Sequence, residues 1–215
     1  GRSKYPPPDP TVGGFLATMV RFVATPLLNL GQRVLPLEAG QAPGLPEWEW
    51  HHTPGHSPGH VAFYRRDDGT LLAGDALTTM NLDSATASFL ELQKVCGPPK
   101  PSTVDWQQAR KSVELLAELR PLTIAAGHGI PMSGGDAVMQ LAELATDFPV
   151  PAHGRYVREP AHMDESGIVS LPPAAPDKIA GVAVALGVAA AAGTMFAVAA
   201  HRRKRAKADT PAPAS

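Results

Sequence analysis

Four histidines fall within the ten residues His51-His52-Thr53-Pro54-Gly55-His56-Ser57-Pro58-Gly59-His60, and two Pro-Gly pairs interrupt them. Pro-Gly marks tight turns, so these imidazoles project from a kinked loop. Two later stretches, "LLAGDAL" and "AAGHG", place Asp75 and His128 beside glycine in the same way. Two neutral imidazoles and one carboxylate suit a hydrolytic metal such as zinc, and they leave a position open for water. Such an ion lowers the pKa of its water from about 15.7 towards 7, which makes hydroxide available at neutral pH. Singly these signals are weak, since Gly-Asp after a strand is usually a turn and Gly-His-Gly is usually a loop. Their shared placement, each in the loop at the end of an expected strand, is what joins His56, Asp75 and His128 into one candidate site.

The glycines beside them, Gly55, Gly74, Gly127 and Gly129, permit close approach of backbone to metal or substrate. His60 either orients a ligand through a hydrogen bond or packs in its loop. His153, in "PAHGRY", is a candidate for the site mouth. His51 and His52 alternate on a strand and are not expected to be ligands. Trp48 and Trp50 share one strand face, the pattern of core residues. The one cysteine, Cys96, excludes an internal disulfide and a Cys-x-x-Cys motif.

The elements that must carry these residues are mixed. Apolar residues at helical spacing predict a helix over 11–23, and "RVLPL" (33–37) and "EWEWHHT" (47–53) read as strands. "HVAFYRR" and "TLLAGD" flank the turn "DDG", a hairpin signal. Residues 102–121 read as a helix capped by Ser102 or Thr103 and stopped by Pro121. "LTIAA" (122–126) is a short strand and 135–148 a further helix. The order implies an α/β fold, a sheet covered by helices, in which adjacent strand ends turn their loops into a common crevice. The expected organisation is a domain over 1–165, a Pro-rich linker over 166–178, an apolar segment over 179–200, and a basic tail that ends disordered over 201–215.

The apolar segment runs 22 residues without a charge. At about 1.5 Å per residue it reaches across a hydrocarbon core of roughly 30 Å, which predicts a single transmembrane helix contacting membrane lipid. Five of the 19 basic residues lie at 202–207, and only one of the 20 acidic residues, Asp209, follows them. The positive-inside tendency places that tail in the cytoplasm and leaves the side of the folded domain open. A formal net charge of −1 gives no reason to expect nucleic acid as a partner.

"HTPGHSPGHVAFY", "LLAGDAL" and "AAGHG", in that order, resemble the second half of the metallo-β-lactamase superfamily, the αββα hydrolases. The resemblance covers roughly residues 1–165. It implies a partial αββα metallo-β-lactamase fold, with His56 as a ligand of one zinc, His128 of a second, and Asp75 bridging both and acting catalytically. The implied activity is hydrolysis of an ester, thioester, lactone or amide in a small-molecule substrate. The family's first-half motif, His-x-His-x-Asp-His, is absent, and residues 1–50 contain no histidine. With Gly1 as the first residue, the expectation is a fragment holding an incomplete site. A non-catalytic membrane-anchored remnant and an iron-dependent oxidoreductase on the same fold are the alternatives, which the bound metal distinguishes.

Overall fold

The computed structural model describes residues 5–20, 37 and 40–177. The strand expected at 33–37 (but for Leu37), the apolar segment 179–200 and the basic tail lie outside them. Among the described residues, no helix is long and apolar enough to cross a membrane. The chain divides into units Gly1–Ala175 and Pro176–Ser215, and the elements below belong to the first.

The "DDG" turn forms the expected hairpin. The Asp68 carboxylate accepts from the Thr70 amide and pairs with Arg65, while Gly69 takes φ +64°. These contacts join β3 (Val61–Arg65) to β4 (Thr70–Gly74) in antiparallel register, Phe63 facing Leu72. β2 (Leu45–His52) pairs with β3 on the other side, and β1 (Gln41–Ala42) caps that edge. β7 (Thr123–Ala126) lies parallel to β4, and β8 (Met132–Ser133) closes the six-stranded sheet β1-β2-β3-β4-β7-β8.

A parallel neighbour requires a long crossover. Here it contains the hairpin β5 (Thr78–Met80) and β6 (Gln93–Cys96), the short helix α2 (Ala85–Phe89) between them, a 3-10 turn at Lys100–Ser102, and α3 (Trp106–Glu118). α4 (Gly135–Thr146) follows β8, and the hairpin β9 (His162–Asp164) and β10 (Gly167–Ser170) comes last. That hairpin carries regular pairing into the stretch expected to be linker, whose Pro-rich part, 171–177, has no regular structure.

α3 and α4 cover one face of the sheet. Leu71, Ala73 and Ile124 from the strands meet Val113 and Leu116 of α3 and Leu141 of α4, all almost fully buried. Each large aliphatic side chain removed from water in this way contributes about 1.5–3 kcal/mol. The opposite face is more open. Leu72, although central in the sheet, is 40% exposed, beside the partly buried Phe63. Trp48 is buried as expected, under the Arg65 guanidinium 4.7 Å from its ring centre, and Trp50 is partly buried.

Two helix starts differ from the expectation. α1 spans Phe15–Met19 rather than 11–23, because Gly13 and Gly14 hold φ +80° and +95°, outside helical geometry; positions 21–23 lie outside the described residues. α3 begins at Trp106, since the Thr103 hydroxyl donates to the Pro99 carbonyl and the cap is instead Asp105.

Candidate functional site

β2, β4 and β7 run in the same direction, so their C-terminal ends share one edge of the sheet. The loop after β2 carries His56, the residue after β4 is Asp75, and the loop after β7 carries His128. Gly74 faces Ala126, and the Gly127 amide donates to the Gly74 carbonyl at 2.9 Å, which ties two of these ends together. The loop after β2 is held by α3. Gly55, at φ +136°, lies so close to Ala109 that a Cβ would strike the helix backbone. Its carbonyl accepts from the Val104 and Asp105 amides at 2.9 and 3.0 Å, and the Ser112 hydroxyl donates to the Pro54 carbonyl at 2.7 Å.

The structure therefore brings His56, Asp75 and His128 together. His56 Nε2 stands 3.4 Å from Asp75 Oδ2, and His128 Nε2 stands 3.7 Å from Asp75 Oδ1. Both separations exceed a hydrogen bond. They match two donors sharing one ion, which at about 2.1 Å each and a tetrahedral angle stand roughly 3.4 Å apart. His56 Nδ1 and Asp75 Oδ1 are buried with no hydrogen-bond partner, and a cation beside the carboxylate would relieve the second of these. Gly127 lies where any Cβ would collide with Asp75 Oδ1. Burial holds His56 below the usual imidazole range, against the attraction of Asp75, and so keeps it neutral as ligation requires. Among the described residues, no three His, Cys, Asp or Glu side chains close around a common point. The residues thus fit a metal as two donor pairs sharing one carboxylate.

His60 belongs to the same cluster in another way. The Asp75 amide donates to His60 Nε2 at 2.9 Å, and His60 Nδ1 lies 2.8 Å from the hydroxyl of Thr53. Burial also lowers the His60 pKa. His128 is placed through its backbone, its carbonyl accepting from the Thr79 amide and hydroxyl at 3.0 and 3.1 Å. Thr53 and Thr79, both fully buried, are residues that sequence reasoning missed. His153 is exposed in the loop between α4 and β9, and among the described residues no hydrogen bond or ion pair joins it to the cluster. His51 is half-buried near Glu49 at 3.8 Å, and His52 donates to the Pro58 carbonyl at 2.7 Å. Burial raises the Cys96 thiol pKa, in keeping with an inert side chain. A cavity of about 620 Å³ adjoins β5, lined by Thr78, Lys94, Cys96 and Lys100 among others but by none of the clustered residues.

A family model described as the metallo-beta-lactamase superfamily matches residues 5–128. The probable metallo-hydrolase YflN of Bacillus subtilis is 37% identical over 147 residues, which are 67% of this chain and 56% of that protein. The probable metallo-hydrolase YybB of the same organism is 32% identical over 81 residues, 38% of this chain and 32% of that one. The chain thus spans little more than half of the first and a third of the second. Among solved structures, the metallo-beta-lactamase family protein TTHA1429 from Thermus thermophilus is 29% identical at a TM-score of 0.37, covering 52% of this chain and 34% of that one.

Proposed function

Because the chain belongs to the metallo-β-lactamase superfamily, we propose that it is the second-half portion of a metal-dependent hydrolase acting on an ester, thioester, lactone or amide of a small molecule. The observation that carries this reading is the single Asp75 carboxylate offering one oxygen to His56 and the other to His128. His56, Asp75 and His128 would hold the metal, zinc being the ion that two imidazoles and a carboxylate suit. When bound, it would supply an activated water near neutral pH and polarise the substrate carbonyl. The chain's own contribution is to keep His56 neutral, to fix Asp75 between the two imidazoles, and to leave His128, 45% exposed, at the solvent side where substrate enters. Among the described residues the donors form two pairs rather than a closed cluster, and Leu72 stands on an open sheet face, both consistent with one portion of a longer hydrolase. The apolar segment 179–200 would anchor the protein in a membrane with its basic tail cytoplasmic, a reading supported by composition alone.

The test is metal analysis of the purified full chain beside the triple variant His56→Ala, Asp75→Ala, His128→Ala. Stoichiometric zinc in the first and none in the second, followed by hydrolysis of a panel of esters, thioesters and lactones, is the expected outcome. Iron in place of zinc would favour an oxidoreductase on the same fold. Equal, near-zero metal in both would make this chain a non-catalytic module.

A further inference from the structure

The Asp75 amide can only donate, so His60 Nε2 must accept, and that nitrogen carries no proton. A neutral imidazole then bears its proton on Nδ1, which donates to the Thr53 hydroxyl oxygen. We infer that His60 is a positioning residue, locked as the Nδ1–H tautomer between Thr53 and the Asp75 backbone, and that this relay sets where Asp75 stands relative to His56. The inference rests on the reading of Asp75 as a metal ligand.

Three observations support it. Both ring nitrogens of His60 are engaged, so the ring has no free lone pair for a metal as it stands, whatever its proximity to His56 (ring centres 6.0 Å apart). The relay also joins two different strand ends. Thr53, fully buried, follows β2 and binds His60 through both its hydroxyl and its amide, which donates to the His60 carbonyl at 2.9 Å; Asp75 follows β4. The loop carrying His56 is thereby fastened to the residue that faces His56 at 3.4 Å. Finally, β4 ends in Gly74 at φ +53°, where a Cβ would stand 2.6 Å from His60 Nε2. A side chain is missing where the ring must reach the Asp75 amide. Histidines that hold a ligand's geometry act through such hydrogen bonds, here to the ligand's own main chain rather than its carboxylate.

Two measurements on the full chain decide the matter. In the metal-free protein at pH 7.5, long-range proton–nitrogen correlation should show His60 protonated on Nδ1 and not on Nε2, and the Asp75 amide should exchange slowly in wild type and rapidly in His60→Ala. Cobalt titration should show His60→Ala binding roughly 10–100-fold more weakly, His60→Gln, which retains an acceptor and a donor, within about threefold of wild type, and Thr53→Val adding little to His60→Ala in the double variant. The opposite tautomer, or an Asp75 amide equally protected in His60→Ala, overturns the relay. Should His60→Ala fail to fold, His60→Gln carries the test, and a tenfold loss there overturns it. Wild type that takes up no cobalt refutes Asp75 as a ligand, while the tautomer and amide exchange still decide whether the relay exists.

Discussion

Gly74 faces Ala126 across the parallel pair β4 and β7, one residue before Asp75 and two before His128. Parallel strands end on the same side, so this pairing alone delivers a carboxylate and an imidazole to one edge of the sheet. β2, two strands away and running the same way, delivers His56. The site is therefore a product of strand direction, and no single loop could assemble it.

Gly127 tests how tightly Asp75 is seated. An alanine Cβ at this position would overlap Asp75 Oδ1, forcing the carboxylate away from His128 and His56. Gly127→Ala is expected to weaken zinc binding by about 10–100-fold, measured by competition with a chromophoric chelator. Circular dichroism should show the fold retained, and unchanged affinity would mean that the carboxylate has room to spare.

The two faces of β4 make opposite predictions. Leu71 is fully buried against α3 and α4, whereas its neighbour Leu72 is 40% exposed. Leu71→Ala should cost about 2–5 kcal/mol in urea unfolding, and Leu72→Thr less than about 1 kcal/mol. A large loss at Leu72 would show that the open face is covered in solution.

The convergence of His56, Asp75 and His128 is legible in the sequence because each follows a stretch that reads as a strand, and strand ends in a helix-covered sheet share an edge. The hairpin β3–β4 is legible for a local reason, the turn chemistry of Asp68 and Gly69. What escapes are contacts that exist only after folding. Nothing local marks Thr53 or Thr79, whose hydroxyls act on His60 and on the His128 carbonyl. Nor can spacing tell whether His60 binds metal or backbone, because that depends on Gly74 yielding space to the ring. The α3 start is missed by a few residues since Thr103 has a competing acceptor in Pro99. β9 and β10 are too short and too polar to stand out, "HMD" and "GIVS" lacking a clear alternation.

Asp105 links helix initiation to the site. Its carboxylate accepts from the Gln107 and Gln108 amides at 3.0 and 2.9 Å, and its own amide donates to the Gly55 carbonyl that shapes the His56 loop. Asp105→Ala is expected to lower stability by about 1 kcal/mol, read from the urea midpoint, because it removes the cap. Asp105→Asn should restore most of that loss. Equal destabilisation by both would assign the effect to charge rather than to capping.

Stability of the chelated chain should depend on pH through its half-buried histidines. Burial is the leading cause that lowers the pKa of His51, His56 and His60 below 6.5. In the unfolded chain these groups take up protons as pH falls through about 6.5, while the folded protein resists doing so. The unfolded state then binds more protons, and unfolding becomes easier as pH falls. The melting temperature with chelator present should be level above about pH 7.5 and decline steadily from pH 7 to 5.5. Carboxylates whose pKa is lowered, such as Glu49 and Asp164, lose their contribution only at more acidic pH, which keeps the two effects apart. Replacing His51 with Gln should reduce the slope without touching the candidate ligands. A flat profile between pH 7.5 and 5.5 would mean that these imidazoles are protonated without penalty, and that the neutral state required for metal binding is not built into the fold.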